Sequence, residues 1–294
     1  MSASPAISEP TWNHAATGYS VPHAHALAHA AALAYKSPDE VETRARSWGF
    51  DRVRHFSSPH AMPFPIEDTQ AYAMASDQMI VIAFRGTEPT QIRDWLSDAT
   101  TPPVPGPGGN GFVHYGFNQA LTSVYPEVRD AAQQMATNGQ TLWFTGHSLG
   151  GALAMLAGTR LYFEDPKQLP DGVYTYGQPR TCEHLLAGAH KKPFKNRHYR
   201  FVNNNDIVTE VPIEPFTHVD HLRYFDAQGR LHDSMPVVAG LVDRANGLTA
   251  DAFAPASDAF RDHFINSYLA AFAKNLSAAP ASGGSSSQVN LRLP

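Results

Sequence analysis

The sequence predicts an α/β protein built on a central, mostly parallel sheet with helices on both faces. Three observations carry that prediction. Short β-rich apolar runs alternate with longer helical patterns along the chain. The run Leu142-Trp-Phe-Thr145 passes through a tight glycine-bearing turn into an Ala- and Leu-rich stretch, Gly150–Phe163. The chain has 294 residues, 43% of them hydrophobic, enough for a sizeable core in one α/β domain. That domain is expected over residues 1–277, with 1–20 as an irregular arm. The Gly/Ser-rich tail 278–294 is expected to be disordered.

The elements follow in order. His23–Tyr35 is alanine-rich and stops before Lys36-Ser37-Pro38, so it reads as a helix, and Pro38–Ser47 opens a second. Ala71–Met74 and Met79–Phe84, parted by Ala75-Ser76-Asp77-Gln78, read as a hairpin. Thr101–Gly111 holds four prolines and four glycines and reads as a loop without an element. Phe117–Ala136 is a helix despite Pro126, Leu142–Thr145 a strand and Gly150–Phe163 a helix. Val173–Tyr176 and Arg197–Val202 are strands. His221–Phe225 and Arg230–His232 flank Asp226-Ala-Gln-Gly229 as a second hairpin. Phe260, Phe264, Tyr268, Leu269 and Phe272 recur at helical spacing, which puts the last helix over Ser257–Asn275.

Composition excludes several function classes. The net charge is 22 − 27 = −5, without the basic face that nucleic acid requires. The lone Cys182 cannot form an intrachain disulfide and reads as a small buried hydrophobe. No run is long enough for a transmembrane helix. The start, Met1-Ser-Ala-Ser-Pro, lacks the pattern of a signal peptide, so the expected location is the cytoplasm, or outside by a signal-independent route. Among 15 histidines, His25/His29 and His218/His221 have ligand-like spacing but no third partner, so no metal is predicted.

The chemistry centres on Gly146-His147-Ser148-Leu149-Gly150. A serine hydroxyl is a weak nucleophile until a base takes its proton. Gly-x-Ser-x-Gly between a strand and a helix puts the serine on a sharp turn where side chains at Gly146 and Gly150 would collide. Ser148 is therefore the candidate nucleophile. The backbone N–H of Leu149 is a candidate donor to a developing oxyanion, and Thr87, in the loop after a central strand, is the second. The acid partner belongs just after a strand, as Asp206 does after His198–Val202; Asp220 and Asp226 lie in or beside a hairpin. Four histidines follow Asp206: His218, His221, His232 and His263.

Gly146-His-Ser-Leu-Gly-Gly-Ala-Leu-Ala154 resembles the elbow of the class 3 lipases, the family of the filamentous-fungal triacylglycerol lipases. Val81-Ile-Ala-Phe-Arg-Gly-Thr87, Val113-His-Tyr-Gly-Phe117, Tyr174-Thr-Tyr-Gly-Gln-Pro-Arg180 and Asn205-Asp-Ile-Val208 resemble further family blocks in the same order, over roughly residues 70–275. The resemblance implies an α/β-hydrolase fold and a Ser-Asp-His order. It selects His263, in Asp262-His263-Phe-Ile-Asn-Ser-Tyr268, as base and Asp206 as acid. His147 is a family feature to which no catalytic role is assigned. Gln91–Ser97 aligns with the family's lid, with Ile92, Trp95 and Leu96 at helical spacing; a helix packed permanently on the core is the competing reading.

The resemblance implies an esterase that needs no cofactor and takes a lipid or small ester, acylglycerols first, at a lipid–water interface. A phospholipase, a feruloyl-type esterase or a polyester hydrolase are the alternatives on this fold. A catalytically silent binding module would be expected to have lost a triad position, and Ser148, Asp206 and His263 are all occupied.

Overall fold

The computed structural model describes residues 8–59, 68–87, 102–219, 221–235 and 258–278. Ile92, Trp95 and Leu96 and the tail beyond Ala278 lie outside the described residues. The strands are β1 (Arg52–Pro59), β2 (Asp68–Ala75), β3 (Met79–Phe84), β4 (Val104–Pro105), β5 (Phe112–Val113), β6 (Thr141–His147), β7 (Gly172–Tyr176), β8 (His198–Asn203), β9 (Leu222–Phe225) and β10 (Leu231–His232). The helices are α1 (Val21–Leu33), α2 (Pro38–Ser47), α3 (Tyr115–Met135), α4 (Leu149–Glu164), α5 (His184–Lys191), α6 (Asp258–His263) and α7 (Ile265–Ala278).

The main sheet runs β1-β2-β3-β6-β7-β8-β9-β10. β3, β6, β7, β8 and β9 pair in parallel, and the outer pairs β1/β2, β2/β3 and β9/β10 are antiparallel. Residues of β3 alternate between two cores. Ile80, Ile82 and Phe84 pack with α3 and α4, through residues such as Val124, Val128, Leu153 and Leu156. Met79, Val81 and Ala83 pack on the other face with α1 and α7, through Ala24, Leu27, Tyr268 and Phe272. A strand covered on both sides must be apolar throughout, and Met79-Ile-Val-Ile-Ala-Phe84 is. The alanines of α1 let it lie close against the sheet.

Helix starts follow local chemistry. Ser20 Oγ accepts from His23 N at 3.2 Å to cap α1, and Ser37 with Glu40 forms a capping box on α2. Glu183 caps α5 by accepting from Leu185 and Leu186 N–H groups, a helix the sequence reading did not include.

The structure corrects four expectations. Residues 102–111 are not a plain loop: β4 pairs with β5 across the turn Pro107–Gly109, because Gly108, Gly109 and Gly111 take positive φ and reverse the chain. The strand β1 adds to the sheet edge beside β2. The last helix is two: Phe264 N bonds Arg261 O, and Ser267 Oγ bonds Arg261 O at 2.8 Å, where α6 gives way to α7. Ala278, assigned to the tail, ends α7. Within the expected N-terminal arm, Tyr19 stacks on Tyr199 at 4.5 Å, with the Arg223 guanidinium over both rings.

Candidate active site

The chain emerging from the C-terminal ends of the parallel strands supplies the site, the usual location in open α/β sheets. β3 leads into Arg85-Gly86-Thr87, β6 into Ser148, β7 into Gly177 and β8 into Asp206.

Ser148 sits at φ 57, ψ −130, a strained conformation for a residue with a side chain. Its N–H donates to Tyr176 O at 2.9 Å. Three glycines make room for it. A β-carbon at Gly146 would strike the backbone of Gly150, one at Gly150 would strike Phe84 O, and one at Gly86 would meet Ser148 Cβ at 3.2 Å. Ser148 also precedes α4 as its N-cap, yet makes no side-chain capping bond, so its hydroxyl is not committed to the helix. Leu149 opens that helix, where N–H groups have no intrahelical acceptor. Thr87 is buried, and its Oγ1 has no hydrogen-bond partner among the described residues.

Asp206 and His263 are fully buried together. His263 Nδ1 lies 2.9 Å from Asp206 Oδ1 and 3.0 Å from Oδ2. A carboxylate only accepts, so Nδ1 carries the proton and the neutral ring's lone pair is on Nε2. Nε2 is buried with no hydrogen-bond partner among the described residues. Asp206 also accepts from Val208 N at 3.0 Å and from Tyr268 Oη at 2.5 Å. The same segment of β7 borders both groups: a β-carbon at Gly177 (φ 60) would come within 2.7 Å of Asp206 Oδ2 and 2.9 Å of the His263 ring, one residue past the carbonyl that holds Ser148 N.

Three consecutive asparagines fix the end of α6. Asn203 Nδ2 donates to Asp262 O at 2.9 Å, Asn204 Nδ2 to Asp262 Oδ2 at 2.9 Å, and Asn205 N to Asp262 Oδ2 at 3.3 Å. Burial raises the Asp262 carboxyl above its ordinary pKa. On the other side of His263, His147 Nε2 lies 2.6 Å from His263 O, and Tyr35 Oη lies 2.8 Å from His147 Nδ1.

The structure thus brings Ser148, His263, Asp206, Leu149 and Thr87 to one end of the sheet. His218 instead bonds Thr209 O at 2.7 Å, and His221 Nε2 accepts from Asn196 N at 3.4 Å. His25 and His29 bond each other, Nε2 to Nε2, at 3.1 Å. Among the described residues no group of three or more His, Cys, Asp or Glu could hold a metal ion. The sequence reading gave no role to Tyr35, Gly86, Gly177 or the asparagine run. Gly86, Gly177, Asn205 and Tyr268 stood inside blocks it had singled out; Tyr35, Asn203 and Asn204 did not.

A buried imidazole aligned by a carboxylate, with its second nitrogen open, can take a proton from a hydroxyl and return it. A serine on a strained turn at a helix start can attack a carbonyl carbon beside ready N–H donors.

The chain is similar to known lipases. Residues 81–216 match the family model described as lipase (class 3). The chain is 30% identical over 196 residues to a triacylglycerol lipase of Arabidopsis thaliana, covering 51% of this chain and 38% of that protein. It is 34% identical over 163 residues to a lipase of Rhizomucor miehei, covering 51% and 43%. The matched part therefore spans well under half the length of these relatives. Among solved structures, lipase II of Rhizopus niveus superposes with a TM-score of 0.59 at 24% identity, over 70% of this chain and 81% of that one. A Penicillium cyclopium structure titled as an MDLA mutant gives 0.59 at 20% identity, over 85% and 94%. At these identities the superpositions establish the α/β-hydrolase fold.

Proposed function

We propose that this chain, which is similar to the class 3 lipases over residues 81–216, hydrolyses carboxylic esters of the acylglycerol class through an acyl-enzyme on Ser148. The observation that carries the reading is the Asp206–His263 pair, whose Nε2 has no hydrogen-bond partner among the described residues while the strained Ser148 stands on the adjoining strand end.

His263 Nε2 takes the Ser148 proton as Oγ attacks the ester carbonyl carbon. The carbonyl oxygen becomes an oxyanion held by the N–H of Leu149 and by Thr87. The C–O bond to the alcohol then breaks, and His263 gives its proton to the leaving oxygen. Water enters, loses a proton to His263, attacks the acyl carbon and releases the carboxylic acid, and the proton returns to Ser148. Asp206 stabilises the imidazolium formed in each half.

Relatives named as triacylglycerol lipases, and others from Fusarium solani and Penicillium cyclopium named as secreted mono- and diacylglycerol lipases, support acylglycerols over phospholipids, feruloyl esters or polyesters. The reading of Ile92, Trp95 and Leu96 as a lid rests on sequence alone.

The test is Ser148→Ala beside the parent chain. Hydrolysis of p-nitrophenyl esters should vanish with an unchanged circular dichroism spectrum, and full activity in the variant would remove Ser148 from the mechanism. A chain-length series beside emulsified triglyceride identifies the acyl group. A jump in rate when the substrate forms a separate phase is expected if residues 91–97 work as a lid.

A further inference from the structure

We propose that Tyr35 and His147 position the base of the reaction, acting through the backbone carbonyl of His263 rather than through its ring. The inference rests on the ester-hydrolase reading above and assigns a task to the residue before the nucleophile, a position that Gly-x-Ser-x-Gly leaves open.

The direction of the hydrogen bonds is fixed by chemistry. A carbonyl oxygen has no proton to give, so at 2.6 Å His147 Nε2 donates to His263 O. In the neutral ring the lone pair is then on Nδ1, which accepts from the Tyr35 hydroxyl at 2.8 Å. The ring stays neutral because burial lowers its pKa to about 3. Histidine suits the position because its ring carries a donor and an acceptor on opposite sides, and few other side chains can bridge a hydroxyl and a carbonyl in this way.

The far end of the line meets a need. His263 closes α6, and the last carbonyls of a helix have no intrahelical donor. His147 supplies one, with its ring 4.7 Å from that of His263. The near end is equally fixed. Tyr35 follows α1, its N–H bonds Ala32 O, and its hydroxyl packs so close to Gly86 that a β-carbon there would strike both it and the His147 carbonyl. One hydrogen-bonded line therefore ties the end of α1, the turn of Ser148 and the helix end of His263, and the loop of Thr87 packs against it at Gly86. Tyr35 and His147 are 112 residues apart, and His147 and His263 are 116 apart. Small misplacements of a reacting group cost large factors in rate, so the loss should fall on kcat.

The experiment compares His147→Phe, His147→Gln and Tyr35→Phe on a soluble p-nitrophenyl ester, with kcat expressed per site titrated by a p-nitrophenyl phosphonate. That normalisation removes molecules that are merely misfolded. H147F keeps the ring and loses the donor; kcat should fall about 30-fold with KM within about twofold. H147Q restores an N–H toward His263 O and should recover at least about a third of the lost logarithm of the rate. Y35F should lose about three- to fivefold in kcat. Should H147F not fold, Y35F, which removes one hydroxyl, decides the question. Unchanged kcat per titrated site in Y35F or H147F, or an H147Q no faster than H147F, overturns the proposal. S148A measured alongside separates the two readings. Hydrolysis surviving in S148A overturns the mechanism itself; an inactive S148A beside an undiminished H147F overturns only the positioning role.

Discussion

The Tyr268 hydroxyl donates a 2.5 Å hydrogen bond to Oδ2 of Asp206, the carboxylate that also meets His263 Nδ1. Tyr268 is buried on α7, and its oxygen in turn accepts from Asn203 N at 3.1 Å. The bond orients the carboxylate toward the imidazole from α7. Tyr268→Phe removes it and keeps the ring in the core. A hydrogen bond to a charged group contributes about 1.5–3 kcal/mol, so kcat should drop roughly tenfold or more. Steady-state kinetics should show the loss in kcat at constant KM; an unchanged kcat would mean that Val208 N and His263 alone hold Asp206.

Gly177 and Gly188 should respond in opposite ways to the same methyl group. At Gly177, with φ 60, a β-carbon meets Asp206 Oδ2 and the His263 ring at 2.7–2.9 Å. Gly177→Ala should lower kcat by about 100-fold or more and cost about 1–2 kcal/mol of stability. Gly188 is exposed on α5, and a β-carbon there would meet nothing within 4 Å. Gly188→Ala should raise stability by up to about 1 kcal/mol, with activity unchanged. Thermal melts and kinetics on the two variants check both.

The legibility of this fold in its sequence follows from how local each signal is. The strand β3 and the β6–α4 elbow could be read because two-sided burial demands an unbroken apolar run and a tight turn demands glycine at fixed spacing. The strand β1, Arg-Val-Arg-His-Phe-Ser-Ser-Pro, could not, since an edge strand with polar residues carries no such run. The prolines and glycines of 102–111 read as loop because they mark turns without saying whether the flanks pair. Among four histidines after Asp206, type and spacing made no choice; only resemblance to a family pointed to His263. Tyr35 and Asn204 left no trace because their partners, His147 and Asp262, lie 112 and 58 residues away. Such contacts exist only once the sheet has assembled.

Cys182 should be inert in the folded protein. It lies between Val113 and Thr217 in two β-bridges and is fully buried. Burial pushes its thiol up to about 12, and the neighbouring Glu183 charge adds to the effect. A disulfide-exchange reagent should titrate no thiol in the native protein and one in denaturant. Rapid reaction of the native chain would place the thiol at a surface.

Acid should unfold this protein through its buried histidines. Burial lowers His23, His25, His29 and His114 to about 4, and His147 and His190 to about 3. His198 and His218 lie well below the usual range, burial first and the nearby Arg200 charge adding to it. The bonds of His190 require its neutral form. Thr159 Oγ1 donates to Met155 O at 2.7 Å, so it accepts from His190 Nδ1 at 2.9 Å, and His190 Nε2 then accepts from His198 Nδ1 at 3.0 Å. In the unfolded chain the same residues titrate near pH 6.5. Above that both states are neutral and these groups leave stability unchanged. Below it the unfolded state binds protons that the folded state refuses, and each histidine removes up to about 1.4 kcal/mol per pH unit until its folded value is reached. The melting temperature should be flat between pH 8 and 7, as far as these groups are concerned, and fall steeply below about 6.5. Cooperative unfolding should come before about pH 4, where the folded histidines would themselves begin to charge. Calorimetry across that range checks it, and a melting temperature at pH 5 equal to that at pH 7.5 would show that these histidines are solvated in the native protein.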